Sequence, residues 1–242
     1  QWLEAQGLGL KVGPALVPIV PSAVLFDLWV GDQRIRPDAA AGRAACEAAT
    51  TGPVPEGNVG AGTGAVVGKL FGIARAMKGG IGTASARLGG VTVAAIVAVN
   101  AVGDVMGEDG QVLAGARTAD GQGLARTTHA LMRGEGPQRL LPGASTTIGL
   151  VATDATLTKA QANKLASLAH HGLSRAVDPI TTHDGDTLFA LGTGHAGPVE
   201  ELSGLGAVAA ELVAQAIRRA VRAAEGLPEH GLPAWRDLAR QA

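Results

Sequence analysis

Tyrosine is absent from this 242-residue chain, and aromatic residues make up only 2% of it. Single-stranded bases bind proteins largely by stacking on aromatic rings, so that mode of recognition has almost nothing to build on. Duplex binding lacks its own requirement, because 20 Lys and Arg stand against 21 Asp and Glu, for a net charge of −1. The same balance argues against a polybasic membrane anchor. Long apolar runs are missing as well: the longest, Val91 to Val99, is far short of the ~20 residues that span a bilayer. No charged stretch followed by an apolar run opens the chain in the manner of a secretion signal. Cysteine is nearly absent. Cys46 alone excludes an intrachain disulfide framework and a cysteine-built zinc cage, and in its helical run from Gly42 it reads as a buried structural thiol. These absences predict a soluble protein of a reducing compartment, the cytoplasm, with neither nucleic acid nor membrane as partner.

What fills the interior is small. Hydrophobic residues are 46% of the chain and 36 residues are Gly, a composition that lets layers pack closely and the backbone bend often. Gln1 to Gly7, which lacks a Met, reads as the end of a helix stopped by Gly7, with an N-terminal part expected before it. Residues 14–29 are apolar and broken by Pro, and predict an extended segment leading into a strand near 23–28. Pro37-Asp38 opens a predicted helix to about Ala49. Two strands are predicted over Gly80–Leu88 and Val91–Val99, the second apolar on both faces and therefore central. Asp109-Gly110 is a hairpin signal between that strand and Gln111–Ala114. From Gly115 to Gly143 the chain is polar and irregular, a long loop with a helical turn or two over Ala125–Met132. A strand over Ser145–Asp154, a helix capped by Thr158 and running to about Val177, a strand over Thr187–Leu191 and a last helix over Leu205–Ala224 complete the series. In that last helix Leu205, Val208, Leu212 and Ile217 share one face, and Arg218, Arg219 and Arg222 suit the C-terminal dipole. The order predicts an α/β layered fold with much antiparallel pairing.

Several constellations fail as sites. Gly62 and Gly68-Lys69 are one residue too far apart for a nucleotide-binding phosphate loop, and Leu70 replaces the hydroxyl that would hold magnesium. Gly60, Gly62 and Ala65 fit the looser dinucleotide pattern, but no acid between Glu56 and Asp104 is available to hold a ribose. The glycines are better read as close-packing positions. That acid-free span carries Lys69, Arg75, Lys78 and Arg87, four cations that need counter-charges from elsewhere in the fold or from a ligand; either they form a solvated basic face, or Lys69, sitting among glycines, points into a site. His170 and His171 diverge on a helix, so the six histidines give no metal pattern, and neither a metal nor a cofactor is predicted. No Gly-x-Ser-x-Gly elbow provides a hydrolase serine.

Ser145-Thr146-Thr147 remains, at the junction of the long loop with a strand, together with Asp184 and Asp186. Cleavage before Thr146 would give that residue a free α-amine titrating near 7.7–8.0, suited to take the hydroxyl proton at working pH. The segments Ser145-Thr-Thr-Ile-Gly-Leu-Val-Ala-Thr-Asp, Ala169-His-His-Gly-Leu-Ser-Arg and Asp184-Gly-Asp-Thr-Leu-Phe-Ala resemble the DmpA-type aminopeptidase and nylon-oligomer hydrolase family. Upstream, Pro21-Ser-Ala-Val-Leu-Phe-Asp-Leu, Gly57-Asn-Val-Gly-Ala-Gly-Thr-Gly and Val97-Ala-Val-Asn-Ala-Val-Gly-Asp extend the resemblance over nearly the whole chain.

The resemblance implies an αββα sandwich of the N-terminal-nucleophile hydrolase type, from which the family's N-terminal region is missing here. It implies a precursor that cuts itself between Ser145 and Thr146, giving α and β portions over 1–145 and 146–242 of one hydrolase domain, and a homo-oligomer of such units. Thr146 becomes the nucleophile, Lys69 the nearby cation, Asn100 an oxyanion-hole donor, and Asp184 and Asp186 the pair orienting amine and hydroxyl. Phe26 falls at a substrate-binding position where some members have Tyr, so a hydroxyl is lost there, and Ser145 stands where many have Asn. The expected activity is hydrolysis of peptides with a free amino terminus or of linear amides. The Thr nucleophile with its Asp-Gly-Asp pair resembles the nylon-hydrolase branch more than the branch with a Ser nucleophile. The alternative is a catalytically silent structural oligomer of the same fold.

Overall fold

A computed structural model describes residues 1–139, 143–199 and 201–239. The chain divides into two compact units, residues 1–24 with 32–54, and residues 25–31 with 55–242. In the first unit, α1 (Trp2–Ala5) ends before Gly7, whose φ of +72° is the left-handed turn a glycine provides. A small hairpin follows, β1 (Leu10–Val12) with β2 (Ala15–Val17), and then α2 (Ala39–Glu47), whose N-cap Asp38 accepts from Ala41 N at 2.8 Å. None of the α2 residues is buried. Cys46 is therefore only partly covered, not the buried thiol predicted.

The second unit holds the core. The predicted strand near 23–28 does not form: the β-rich residues are extended but pair with no ladder, and the first strand of this unit is β3 (Val66–Val67), which pairs with β4 (Met77–Lys78). Both long strands occur where predicted, as β5 (Gly80–Leu88) and β6 (Val91–Val99), antiparallel over their full length. The Asp109-Gly110 turn joins β7 (Asp104–Met106) to β8 (Val112–Ala114), so the hairpin partner is β7 and not β6. The irregular stretch contains α3 (Thr127–Met132), and the next strand, β9, spans Ile148–Thr153, shorter than predicted, with residue 145 forming only an isolated bridge, to Asp184. The capping box of Thr158 and Gln161 starts α4 (Lys159–Ala169). The predicted single helix divides at His170 into α4 and α5 (His171–Ala176), followed by β10 (Val177–Asp178), β11 (Thr187–Gly192), α6 (Leu202–Ala223) and α7 (Trp235–Ala239). His170 and His171 are exposed, as their divergence requires.

The main sheet has the order β11-β9-β6-β5, with only β9 and β11 parallel. α6 lies against β5 and β6, and α4 against α6 and β11. Contact is close because β5 presents glycine there: a Cβ on Gly82 would lie 2.1 Å from Ala216 O of α6. Val93, Ala95, Val97 and Val151 from the sheet join Leu165, Leu205, Leu212, Val213 and Ile217 from the helices in one core. The opposite sheet face, with Ile81, Ile96, Ile148 and Leu150, is half-buried. Arg218 is buried and bridges Met106 O and Arg175 O at 3.0 Å each, so it ties α6 to the end of β7 and to α5 rather than only neutralising a helix end.

Candidate active site

β6, β9 and β11 are neighbours in the sheet, and the ends where β6 stops and β9 and β11 start lie side by side. Every residue singled out for catalysis by resemblance falls at that edge or against it. Asn100 immediately follows β6, Thr146 and Thr147 immediately precede β9, and Asp184 and Asp186 precede β11. Thr146 N donates to Asn100 O at 3.1 Å, and Ser145 bridges Asp184 in parallel register. Lys69 arrives from the loop after β3, held by Lys69 N to Val102 O at 2.8 Å and Gly68 N to Gly103 O at 2.9 Å.

Lys69 is 1% exposed. Its Nζ donates to Asn100 O at 2.7 Å and Asn100 Oδ1 at 2.8 Å, with Ala144 O at 3.5 Å as the third and longest contact. Burial pulls the ammonium down to about 7, against the pull of Asp184 and Asp186. A lysine at that value is partly neutral near physiological pH and can accept a proton. The Asn100 amide is locked in one orientation: its Oδ1 faces two donors, Lys69 Nζ and Val66 N at 3.0 Å, and its Nδ2 donates to Phe26 O at 3.0 Å. One Nδ2 hydrogen is thus committed to Phe26 O. Phe26 itself contributes its carbonyl, while its ring meets Trp29 edge-on at 4.9 Å.

The two carboxylates differ. Asp184 is saturated, with Oδ1 accepting from Val102 N at 2.9 Å and Oδ2 from Thr181 N and Oγ1 at 3.1 and 2.9 Å. Asp186 accepts from Thr147 N at 2.6 Å through Oδ1, and its buried Oδ2 has no partner, nor has the buried Thr147 Oγ1. Burial pushes Asp186 up to about 6; repulsion from Asp184 adds to this, while the Thr147 N–H and Lys69 oppose it. Between them, Gly185 N donates to Ser145 O at 2.8 Å, and a Cβ on Gly185 would lie 3.1 Å from Thr146 Oγ1. The carbonyl of the Ser145–Thr146 bond therefore sits on a backbone donor, with the Thr146 hydroxyl alongside.

Thr181, Val102 and Gly185 take part without having been singled out from sequence. All three donate a backbone N–H, which no residue type advertises, and Thr181 adds its hydroxyl. Of the acid-free span, Arg75 pairs with Glu135 and stacks on Phe71, and Lys78 is enclosed by backbone carbonyls. Among the described residues no group of His, Cys, Asp and Glu is arranged to hold a metal ion, and no helix is long and apolar enough to cross a membrane.

The sheet with helices on one face and the nucleophile candidate at a strand start define an Ntn-hydrolase fold. The solved L-aminopeptidase/D-Ala-esterase/amidase of Ochrobactrum anthropi, described as a prototype for the serine aminopeptidases and a variant of that fold, superposes with a TM-score of 0.54 at 27% identity, over 84% of this chain and 57% of that one. The pattern of peptidase family S58 matches residues 1–231, and the chain belongs to that family. An uncharacterized aminopeptidase of Mycobacterium leprae is 39% identical over 273 residues, 97% of this chain and 69% of the relative. A 6-aminohexanoate-oligomer endohydrolase of a Kocuria species is 35% identical over 191 residues, 77% of this chain and 53% of the relative. The chain thus spans between about half and seven-tenths of the lengths of these relatives.

Proposed function

We propose that this protein is a threonine-nucleophile amide hydrolase that cuts its own chain between Ser145 and Thr146 and then hydrolyses short peptides or linear amides. The reading rests on one observation: the Ser145 carbonyl accepts a hydrogen bond from Gly185 N at 2.8 Å, beside the Thr146 hydroxyl and between Asp184 and Asp186. Attack of Thr146 Oγ1 on the Ser145 carbonyl carbon develops negative charge on an oxygen that already has its donor. Neutral Lys69 takes the hydroxyl proton. The C–N bond then breaks, the nitrogen takes up a proton, and the chain is held as an ester on Thr146 Oγ1. Water hydrolyses that ester, leaving a carboxylate on Ser145 and a free amine on Thr146.

The new amine keeps Asn100 O as an acceptor, the carbonyl that Lys69 Nζ also uses. Whenever Lys69 is protonated it disfavours a second positive charge so close, and the burial that favours neutral Lys69 also favours a neutral amine, which serves as base for its own hydroxyl in turnover. The substrate carbonyl enters the place vacated by Ser145. Gly185 N–H and the second Nδ2 hydrogen of Asn100 receive its oxyanion, and Thr146 carries the acyl group until water releases it. The two fragments stay together, because β9 of the second is paired with β6 of the first from Val93 to Ala98. In this reading such units assemble into a homo-oligomer in the cytoplasm. Relatives named as aminopeptidases and as a 6-aminohexanoate-oligomer endohydrolase support both substrate classes.

Intact mass spectrometry of freshly made protein and of Thr146→Ala tests this directly. The expected result is a C-terminal fragment starting at Thr146, of about 10 kDa when 24.1 kDa is divided by length, and none from the variant. A Thr146→Ala protein that still splits at the same bond assigns the cut to an outside protease. An uncut wild-type chain that is inert toward aminoacyl anilides and 6-aminohexanoate oligomers leaves the silent structural alternative.

A further inference from the structure

Lys78 has no part in the chemistry above, yet it is completely buried. A buried ammonium without a carboxylate in contact is costly, and an apolar side chain of the same length would ordinarily pack there at no such cost. Its three N–H groups are spent on backbone carbonyls: Ala65 O at 2.8 Å, Gly62 O at 2.9 Å and Gly79 O at 3.3 Å. Two of those belong to the glycine-rich turn 62–66, which is packed so tightly that a Cβ on Gly62 would lie 2.3 Å from Gly57 O. The residue that ends the turn, Val66, donates its N–H to Asn100 Oδ1 at 3.0 Å.

The other end of the Asn100 amide is held by the backbone of the segment that carries Asp27. Nδ2 donates to Phe26 O, and the next residue, Asp27, packs its carboxylate over Gly64, where a Cβ would lie 2.2 Å from Oδ2. Asp27 attracts the Lys78 charge from there, across the turn that Lys78 grips from inside. Lys69 Nζ donates to that same Asn100 Oδ1 at 2.8 Å, and Lys69 Nζ and Thr146 N both donate to the Asn100 backbone carbonyl, at 2.7 and 3.1 Å. We propose that Lys78, opposed by Asp27, is a positioning residue of the active site: it clamps the 62–66 turn and, through Val66 N–H, sets the Asn100 side-chain amide, which Lys69 Nζ contacts directly and which belongs to the residue whose carbonyl holds Thr146 N. The proposal rests on the reading of Thr146 as nucleophile for its kinetic consequences, but not for its structural one.

Two measurements test it. The chain has three Asn residues, so selectively labelled protein shows three side-chain amide pairs, with that of Asn100 identified by its loss in Asn100→Ala. In uncleavable Thr146→Ala protein, Lys78→Met is expected to shift the Asn100 amide signals and speed their hydrogen exchange, while those of Asn58 and Asn163 stay put. In the otherwise native chain, Lys78→Met is expected to slow self-cleavage and lower kcat by at least about tenfold with KM within about twofold, below its melting temperature. Because Lys78 acts through Asn100, Lys78→Met combined with Asn100→Ala should be no slower than Asn100→Ala alone. Unmoved Asn100 signals, a wild-type self-cleavage rate, or effects that multiply in the double variant each overturn the proposal. If Lys78→Met does not fold, Asp27→Asn replaces it in the amide and coupling measurements, with the same shifts expected and the same results overturning the proposal. A failure of the Thr146 reading shows separately, as splitting in Thr146→Ala, and leaves the amide measurement intact.

Discussion

Asp186→Asn should make the protein slower and, at alkaline pH, more stable. Asp186 Oδ1 accepts from Thr147 N, while Oδ2 is buried without a donor, so ionisation places a charge where only half of it is solvated by the protein. The carboxyl titrates at about 6 in the fold against an ordinary 3.8. A folded-state value raised in this way contributes stability below pH 3.8 that is lost as pH rises through about 6. At about 1.36 kcal/mol per unit, the loss above pH 7 is on the order of 2–3 kcal/mol. Asparagine keeps the acceptor for Thr147 N and has no charge to bury. In the uncleavable Thr146→Ala background, Asp186→Asn should therefore raise the melting temperature by about 5–10 °C at pH 8 and by almost nothing at pH 4. In the Thr146-containing chain the same substitution should cut turnover on the order of 100-fold if Asp186 has the proposed role of orienting the Thr146 amine. A stability change equal at pH 4 and pH 8, or full turnover, would refute this reasoning and make Asp186 a turn residue only.

In the proposed mechanism Lys69 should set the pH dependence of self-cleavage. Burial lowers its pKa to about 7, so the neutral base accumulates above that value; the single-turnover rate should fall about tenfold per unit below pH 6 and level off above pH 8. The lowered pKa also means that stability is lost as pH falls through about 7, so Lys69→Met should gain stability over the native chain at pH 6 more than at pH 10. Asn100→Ala should lower kcat by about 10² to 10³ with KM little changed, measured on processed enzyme; an unchanged kcat with a lower melting temperature would reduce Asn100 to scaffolding. Gly82→Ala drives a methyl into the backbone of α6 at Ala216 O and Ala220 N, 2.1 and 2.5 Å away, and should cost about 3 kcal/mol, read as a lower urea midpoint at constant m.

Local chemistry made much of the chain legible. The nine-residue strand β6 was readable from its nearly continuous apolar, partly β-branched run, and the starts of α2 and α4 from Asp38 and Thr158, because these signals act within a few residues. The candidate site residues Thr146, Lys69, Asn100, Asp184 and Asp186 stand in recognisable motifs, and the fold brings these separated motifs to one sheet edge. Residues 23–28 carry β-forming side chains but no strand, because a strand exists only when a partner ladder accepts it, and none does. The helix after Thr158 divides at His170 although its apolar period continues, and in the second piece Gly172 packs against α6, where a Cβ would lie 2.2 Å from Ala210 O. Residue identity thus determined which side chains are available for catalysis and where the ladders and caps begin. Tertiary structure alone decided that Gly185 N meets Ser145 O, that Asp184 is saturated while Asp186 is not, and that Lys78 grips the turn behind Asn100. Those are contacts of backbone groups and buried charges between segments tens of residues apart, and their energies depend on burial, which only the folded chain defines.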